Sequence, residues 1–218
     1  MQKIFTLCLL VFLSLSANAQ FKKGDKVLGA GLNFQSSTHE NNFSALPQTN
    51  KSTNFDLSVE IGMAKKENRL NGFFISAGYG VNKQEYPTQP ASNSKNDNFN
   101  AGVGYFSKCY KPLGKSFFVF GEGRAGLNYF QVNNNINTSN PDTHEYRVNL
   151  GLYPGLAYKW NSRFLFELRF ADFVSVGYFR REVKGINDTK DVQRNFSLGT
   201  SLGLGYLSNI GIGARWIM

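Results

Sequence analysis

From Leu28 onward the chain alternates apolar and polar residues with a period of two, in blocks separated by polar segments. Thr53 to Met63 is the clearest block. Phe55, Leu57, Val59, Ile61 and Met63 share one face; Asn54, Asp56, Ser58, Glu60 and Gly62 share the other, because successive side chains of a strand point to opposite sides. A second row runs through Tyr146, Val148, Leu150, Leu152, Pro154, Leu156, Tyr158 and Trp160. Similar rows cover Leu28 to Phe34, Phe73 to Val81, Phe99 to Tyr105, Phe117 to Tyr129, Phe164 to Phe170 and Phe196 to Trp216. The pattern predicts eight strands and almost no helix.

The segments between rows alternate in length. Ala64 to Arg69, Lys111 to Lys115 and Asn161 to Arg163 are short, whereas those near 37–51, 83–97, 132–143 and 179–191 are longer and rich in Asn, Ser, Thr, Asp and Lys. Short turns on one rim and long loops on the other predict an up-and-down antiparallel β-barrel, an asymmetry shared by outer-membrane barrels.

Period alone does not separate a membrane barrel from a soluble one, so the content of the two faces decides. The polar face carries nine strand charges: Asp56, Glu60, Glu122, Arg124, Glu145, Arg147, Glu167, Arg169 and Arg215. A single Arg on the lipid side costs roughly 2–4 kcal/mol near the midplane, so their absence from the apolar face is informative. Glycines such as Gly78, Gly80, Gly102, Gly104 and Gly126 also fall on the polar face, as the crowded interior of a narrow barrel requires. Phe34, Phe55, Tyr79, Phe99, Tyr129, Tyr146 and Tyr178 end the apolar rows toward the long loops. Phe73, Tyr105, Phe117, Tyr158, Trp160, Phe164 and Trp216 end them toward the short turns. These predict two interfacial girdles, and the row from Tyr146 to Tyr158, tilted about 45°, gives an apolar height of roughly 28 Å.

Two places break the pattern. Asp172 follows Phe170 on the apolar parity and predicts a bulge or a position at the lipid boundary; Phe196 to Trp216 is too long for one crossing. The expectation is one extended final strand, with a turn at Ser208-Asn209 as the alternative, because eight strands return both ends of the chain to one side.

The start of the chain adds a location. Lys3, the apolar run Ile4 to Leu15 and the small residues of Ala17-Asn18-Ala19 form a secretion leader, so residues 1–19 are expected to be a cleaved signal peptide and residues 20–218 one barrel domain. A run of about 12 apolar residues is too short for a spanning helix. With 41% hydrophobic residues, 15% aromatics and a formal charge of +9, the chain is too aromatic to be disordered. Its dispersed charge and export argue against a nucleic-acid partner. Cys8 leaves with the leader and Cys109 then stands alone, an apolar filler with no disulfide partner.

Several stretches resemble the outer membrane protein beta-barrel domain family, small barrels similar in shape to OmpA and OmpX: Pro112-Leu113-Gly114-Lys115-Ser116-Phe117-Phe118-Val119-Phe120-Gly121-Glu122, Tyr153-Pro154-Gly155-Leu156-Ala157-Tyr158 with Arg163-Phe164, and Leu207-Ser208-Asn209-Ile210-Gly211-Ile212-Gly213. The Ala17-Asn18-Ala19-Gln20 ending of the leader is similar too. The resemblance implies an eight-stranded transmembrane β-barrel of the bacterial outer membrane. It also implies that Gly213, Trp216 and Met218 belong to the signal read by the barrel-assembly machinery after periplasmic chaperones deliver the chain; Met218 departs from the usual aromatic end.

Candidate chemistry is sparse. Gly121-Glu122-Gly123-Arg124-Ala125-Gly126 fits a dinucleotide pattern but lies inside an alternating strand, where no helix follows to hold a pyrophosphate. His144 with Ser139 or Asp142 imitates a lipid-hydrolase pair, and His39 and His144 read better as solvated loop residues. Neither a metal site nor a cofactor site is expected. Glu60, Glu122, Arg124, Arg147, Glu167, Arg169 and Arg215 are expected to form an ion-pair network filling the lumen, or a gate within it. Arg180, Arg181, Lys184, Lys190 and Arg194 form a basic outer-rim loop suited to the phosphates of surface glycolipid. The expected role is non-enzymatic, structural or surface-interacting. A narrow porin-like channel is the alternative, and a lipid-modifying enzyme or soluble periplasmic ligand-binding barrel stands further off.

Overall fold

The alternating rows pair edge to edge until the sheet meets itself. The structure, a computed structural model, describes residues 21–41, 47–87, 93–134, 143–184, 190–200 and 209–218. These contain ten antiparallel strands: β1 (Lys26–Asn41), β2 (Gln48–Lys66), β3 (Arg69–Glu85), β4 (Ser94–Pro112), β5 (Phe117–Asn134), β6 (Thr143–Lys159), β7 (Phe164–Arg169), β8 (Val174–Lys184), β9 (Lys190–Gly199) and β10 (Asn209–Ile217). Eight of them close a ring in the order β1-β2-β3-β4-β5-β6-β7-β10 and back to β1. β8 continues along β6 above β7, and β9 pairs with β8. The signal peptide expected at 1–19 lies outside the described residues.

Ten strands replace the expected eight because two rows are split. On β6, Leu152 pairs with Val174 and Gly155 with Arg169, so Tyr153 and Pro154 face four residues, 170–173. Pro154 has no N–H for the ladder. The bulge bridges the gap with Phe170 N donating to Pro154 O at 3.0 Å and Phe173 N to Leu152 O at 2.7 Å. It turns Phe170 and Asp172 toward the lumen and leaves Phe173 outside, so the apolar row expected to reach Phe170 ends at Leu168. The second split separates β9 from β10, which run in the same direction beside β8 and β7. Ser208, and the turn considered there, lies outside the described residues. Among the described residues, β9 pairs with β8 alone.

The long polar loops are also corrected. Hydrophobic alternation stops near Phe34, Phe55, Tyr79 and Tyr129, yet β1 runs on to Asn41, β2 starts at Gln48, β3 reaches Glu85 and β5 reaches Asn134. Asn, Ser, Thr and Lys sustain the hydrogen-bond ladder after the apolar face ends, since pairing needs only the backbone. Strands of 16–19 residues span roughly 50–60 Å along their length and overshoot the apolar band on that side.

The hydrophobic distribution is inside out. Among the described residues 33 large apolar side chains are exposed and 13 apolar residues are buried. Phe73, Ile75, Leu127 and Trp160 each expose about 60% or more of their surface. Leaving them in water forfeits about 1.5–3 kcal/mol apiece, tens of kcal/mol in sum, against a typical net stability of about 5–15 kcal/mol.

The buried apolar residues form a compact base inside the ring at the short-turn end: Phe21, Val27, Leu70, Phe106, Tyr110, Phe118, Phe120 and Leu165. Asn68, in the left-handed conformation at φ 57°, shapes the β2–β3 turn that seats them. Its N–H donates to Phe21 O at 3.3 Å and its carbonyl accepts from Tyr110 N at 2.9 Å.

Candidate functional site: a charged plug beneath a polar vestibule

Above the apolar base, β2, β4, β5, β7 and β10 each send charged side chains inward. Lys108 Nζ lies 2.7 Å from Glu167 Oε2, 3.2 Å from Glu122 Oε2 and 3.7 Å from Glu60 Oε2. Arg124 Nη1 lies 3.0 Å from Glu60 Oε1 and 3.2 Å from Glu122 Oε1. Arg215 Nε donates to Glu167 Oε1 at 2.5 Å, its Nη2 reaches Glu60, and Tyr110 OH donates to Glu167. Three carboxylates thus meet three cations, all buried. Arg169, a quarter exposed, joins Glu122 at 3.7 Å. Every ion of the set has an opposite charge within 4 Å, and hydrogen bonds join Lys108, Arg215, Glu60 and Glu167, whereas Glu122 and Arg124 Nη1 are held by charge alone.

The structure therefore brings together six of the seven residues expected in the lumen network. Arg147 is the exception. It sits higher on β6, where its Nη2 lies 2.5 Å from Glu145 Oε1 and its guanidinium is 4.7 Å from the Phe130 ring centroid. Arg181, expected in the outer-rim loop, shares Glu145 at 2.8 Å, because strand alternation turns it inward while Arg180 points out. Lys108 is a member of the plug that the sequence pattern does not single out. Its parity extends the interior face of β4 past Gly104 through Phe106, Lys108 and Tyr110, and the aromatic neighbours hide the polar signal.

Over the plug opens a cavity of about 830 Å³ floored by Arg124 and Arg169. Carboxamides lie against its wall: Asn100 Nδ2 donates to Asp56 Oδ1 at 2.9 Å and Asn128 Nδ2 to Asn149 Oδ1 at 2.6 Å. The first pair crosses Gly78, where a Cβ would stand 2.5 Å from Asn100 Nδ2. Glycine lets the amides lie flat and keeps the lumen open.

At the upper rim Arg180 and Lys190 both grip Glu182, at 2.6 and 2.8 Å. The hydrogen bond from Lys190 holds the Glu182 carboxyl below its ordinary range. Arg194 is exposed beside Arg180; the Lys184 side chain lies outside the described residues. His144 Nδ1 is 2.7 Å from Tyr129 OH, and Ser139 and Asp142 lie outside the described residues. The Gly121 to Gly126 run is mid-strand in β5, and Cys109 is a free, exposed thiol. At the C-terminal strand Gly213 faces Gly31, Trp216 faces Leu28, and Met218 N donates to Lys26 O at 2.9 Å.

No family model matches the sequence, and no curated protein does. Among solved structures the chain is similar to Neisserial surface protein A, at 13% identity over 90% of this chain and 98% of that one, with a TM-score of 0.41. It is also similar to a major outer membrane protein of Thermus thermophilus, at 12% identity over 89% and 99% with a TM-score of 0.46. The translocator domain of the autotransporter NalP from Neisseria meningitidis is 10% identical over 99% and 94%, with a TM-score of 0.30.

Proposed function

We propose that the protein spans the bacterial outer membrane as a closed, plugged barrel of the outer membrane protein beta-barrel domain type. Its role is structural or surface-interacting and is carried by the vestibule end. The observation that carries this reading is the inverted hydrophobicity: an apolar belt outside, bounded by Phe34, Phe55, Tyr79 and Tyr146 above and Phe73, Phe117, Trp160 and Trp216 below, with the ion pairs inside. Where β7 and β10 complete the ring, no edge is left bare to hydrocarbon, as lipid requires.

The plug favours this role over transport. Two stacked layers, the ion pairs and the apolar base of Phe106, Phe118, Phe120 and Tyr110, fill the ring below the vestibule. The vestibule is then a blind cup. No residue in this reading acts as a catalyst. Expression in a bacterium with an outer membrane tests it: the protein is expected in that membrane, with a gel mobility that changes on boiling and no conductance steps in planar bilayers. A soluble periplasmic product overturns the membrane reading, and steady conductance steps overturn the plug in favour of a narrow channel.

A further inference from the structure

The short-turn end of the barrel carries nearly all of the protein's net charge. Lys22, Lys23 and Lys26 lead into β1, and Lys65, Lys66 and Arg69 flank the β2–β3 turn. Lys111 and Lys115 flank the β4–β5 turn, and Lys159 and Arg163 the β6–β7 turn. Against these ten bases stand two acids, Asp25 and Glu67, which leaves +8. Inside the ring, Lys108, Arg124, Arg147, Arg169, Arg181 and Arg215 face Asp56, Glu60, Glu122, Glu145, Glu167 and Asp172, a sum of zero. The strand ends and connecting segments toward the vestibule hold seven bases and seven acids, a sum of zero.

Pairing follows the same division. Among the described residues, four of the six bases on the vestibule-end strand ends take carboxylate partners, Lys51 with Glu85 at 2.8 Å, Lys95 with Asp97 at 3.4 Å, and Arg180 and Lys190 with Glu182, whereas Lys83 and Arg194 take none. Among the described residues, none of the ten bases at the short-turn end has a carboxylate oxygen within 4 Å, and nine of them are exposed. Asp25 instead accepts the Lys22 backbone N–H at 2.7 Å. Like charges gathered on one rim repel one another, and an apposed anionic surface removes that penalty.

We infer that this rim is a binding surface for anionic phospholipid head groups, phosphatidylglycerol in chemical class, in the leaflet that borders the short turns. The inference rests on the membrane reading above. The basic residues adjoin the lower aromatic belt, so a lipid whose tails lie against Phe73, Phe117 and Trp216 brings its phosphate level with Lys65, Lys66, Lys111 and Lys115. Ammonium and guanidinium groups attract such phosphates within a Debye length, about 8 Å at physiological salt.

The protein supplies its own probe. Its two tryptophans, Trp160 and Trp216, both lie on this rim with exposed rings. The full mature chain is refolded into phosphatidylcholine vesicles containing 20% phosphatidylglycerol, with bromine placed on the tails of one lipid or the other, and tryptophan quenching is read. Brominated phosphatidylglycerol is expected to quench at least threefold more, per mole of lipid, than brominated phosphatidylcholine at low salt. The preference should collapse toward one in 0.5 M NaCl and in the K65Q/K66Q/K111Q/K115Q variant, and persist in K51Q/K83Q/K95Q. Equal quenching by both lipids overturns the inference alone and is what a rim facing some other acidic partner would give. No quenching by either overturns the membrane reading and this inference with it. The salt series on the unmodified chain decides the matter even where the fourfold variant refolds poorly.

Discussion

The guanidinium of Arg124 lies 3.9 Å from the centroid of the Phe74 ring, and the far edge of that ring lies against two glycines. Gly104 and Gly126 follow Phe74 in one lateral register row across β3, β4 and β5. A Cβ on Gly104 would stand 2.2 Å from the Ala125 carbonyl oxygen and 2.6 Å from Phe74, and one on Gly126 3.2 Å from Phe74. Gly104→Val is therefore expected to press on the Ala125 carbonyl of β5, displace Phe74 and unseat Arg124, at a cost of about 3 kcal/mol or more, with Gly126→Ala costing less. Urea denaturation of the refolded protein measures both, and an unchanged midpoint for Gly104→Val would contradict the stacking role.

Glu167 accepts from Lys108, Arg215 and Tyr110. Glu167→Gln leaves two buried cations short of a counter-charge and is expected to destabilise the barrel by about 3–5 kcal/mol. Tyr110→Phe removes only one hydrogen bond to the same carboxylate, for about 1.5–3 kcal/mol. A reversed order in the urea midpoints would show that the plug is held by packing alone.

Ile75 lies in a lateral row with Val59 and Val103 near mid-height of the outer face, and all three are exposed. Ile75→Arg should cost about 2–4 kcal/mol for protein refolded in bilayers. On a water-facing surface the same change would stay within about 0.5 kcal/mol. The difference in unfolding free energy between mutant and parent in vesicles separates the two environments.

Glu182 titrates above the upper aromatics, and its hydrogen bond from Lys190 depresses the carboxyl, helped by the charges of Lys190, Arg180 and His144. A carboxylate depressed on folding adds stability at pH values above its unfolded pKa, and that contribution disappears as the pH falls through the folded value. Lys190→Gln should raise the Glu182 midpoint toward the ordinary range, which a carboxyl carbon NMR titration would detect. An unmoved midpoint would remove the pair from the β8–β9 hairpin.

The strand rows, the inward charges and the two aromatic belts are legible in the sequence because each is a period-2 feature, and inward and outward residues of a barrel obey one parity along a whole strand. Lys108 is not, since Phe106 and Tyr110 beside it look like lipid-facing residues until parity is carried from Gly104. The β7–β8 bulge shows only as Asp172 out of phase; its cause, Pro154 on the neighbouring strand, is a pairing partner that no local pattern reveals. Polar strand extensions read as loops for a related reason. Hydropathy reports what a face touches, whereas a ladder of Asn and Ser residues pairs through its backbone.

Most of the ladder joins neighbouring strands through short connections, but the seam between β1 and β10 joins Val27 to Ile217, 190 residues apart in the chain. Hairpins of this kind zip locally within microseconds, whereas the seam awaits the arrival of the final strand. Without that pairing the sheet is a ribbon with bare margins, each able to accept a foreign strand. Removing the last nine residues would do more than shorten the wall: it would strand the polypeptide in that ribbon form, the one most exposed to polymerisation.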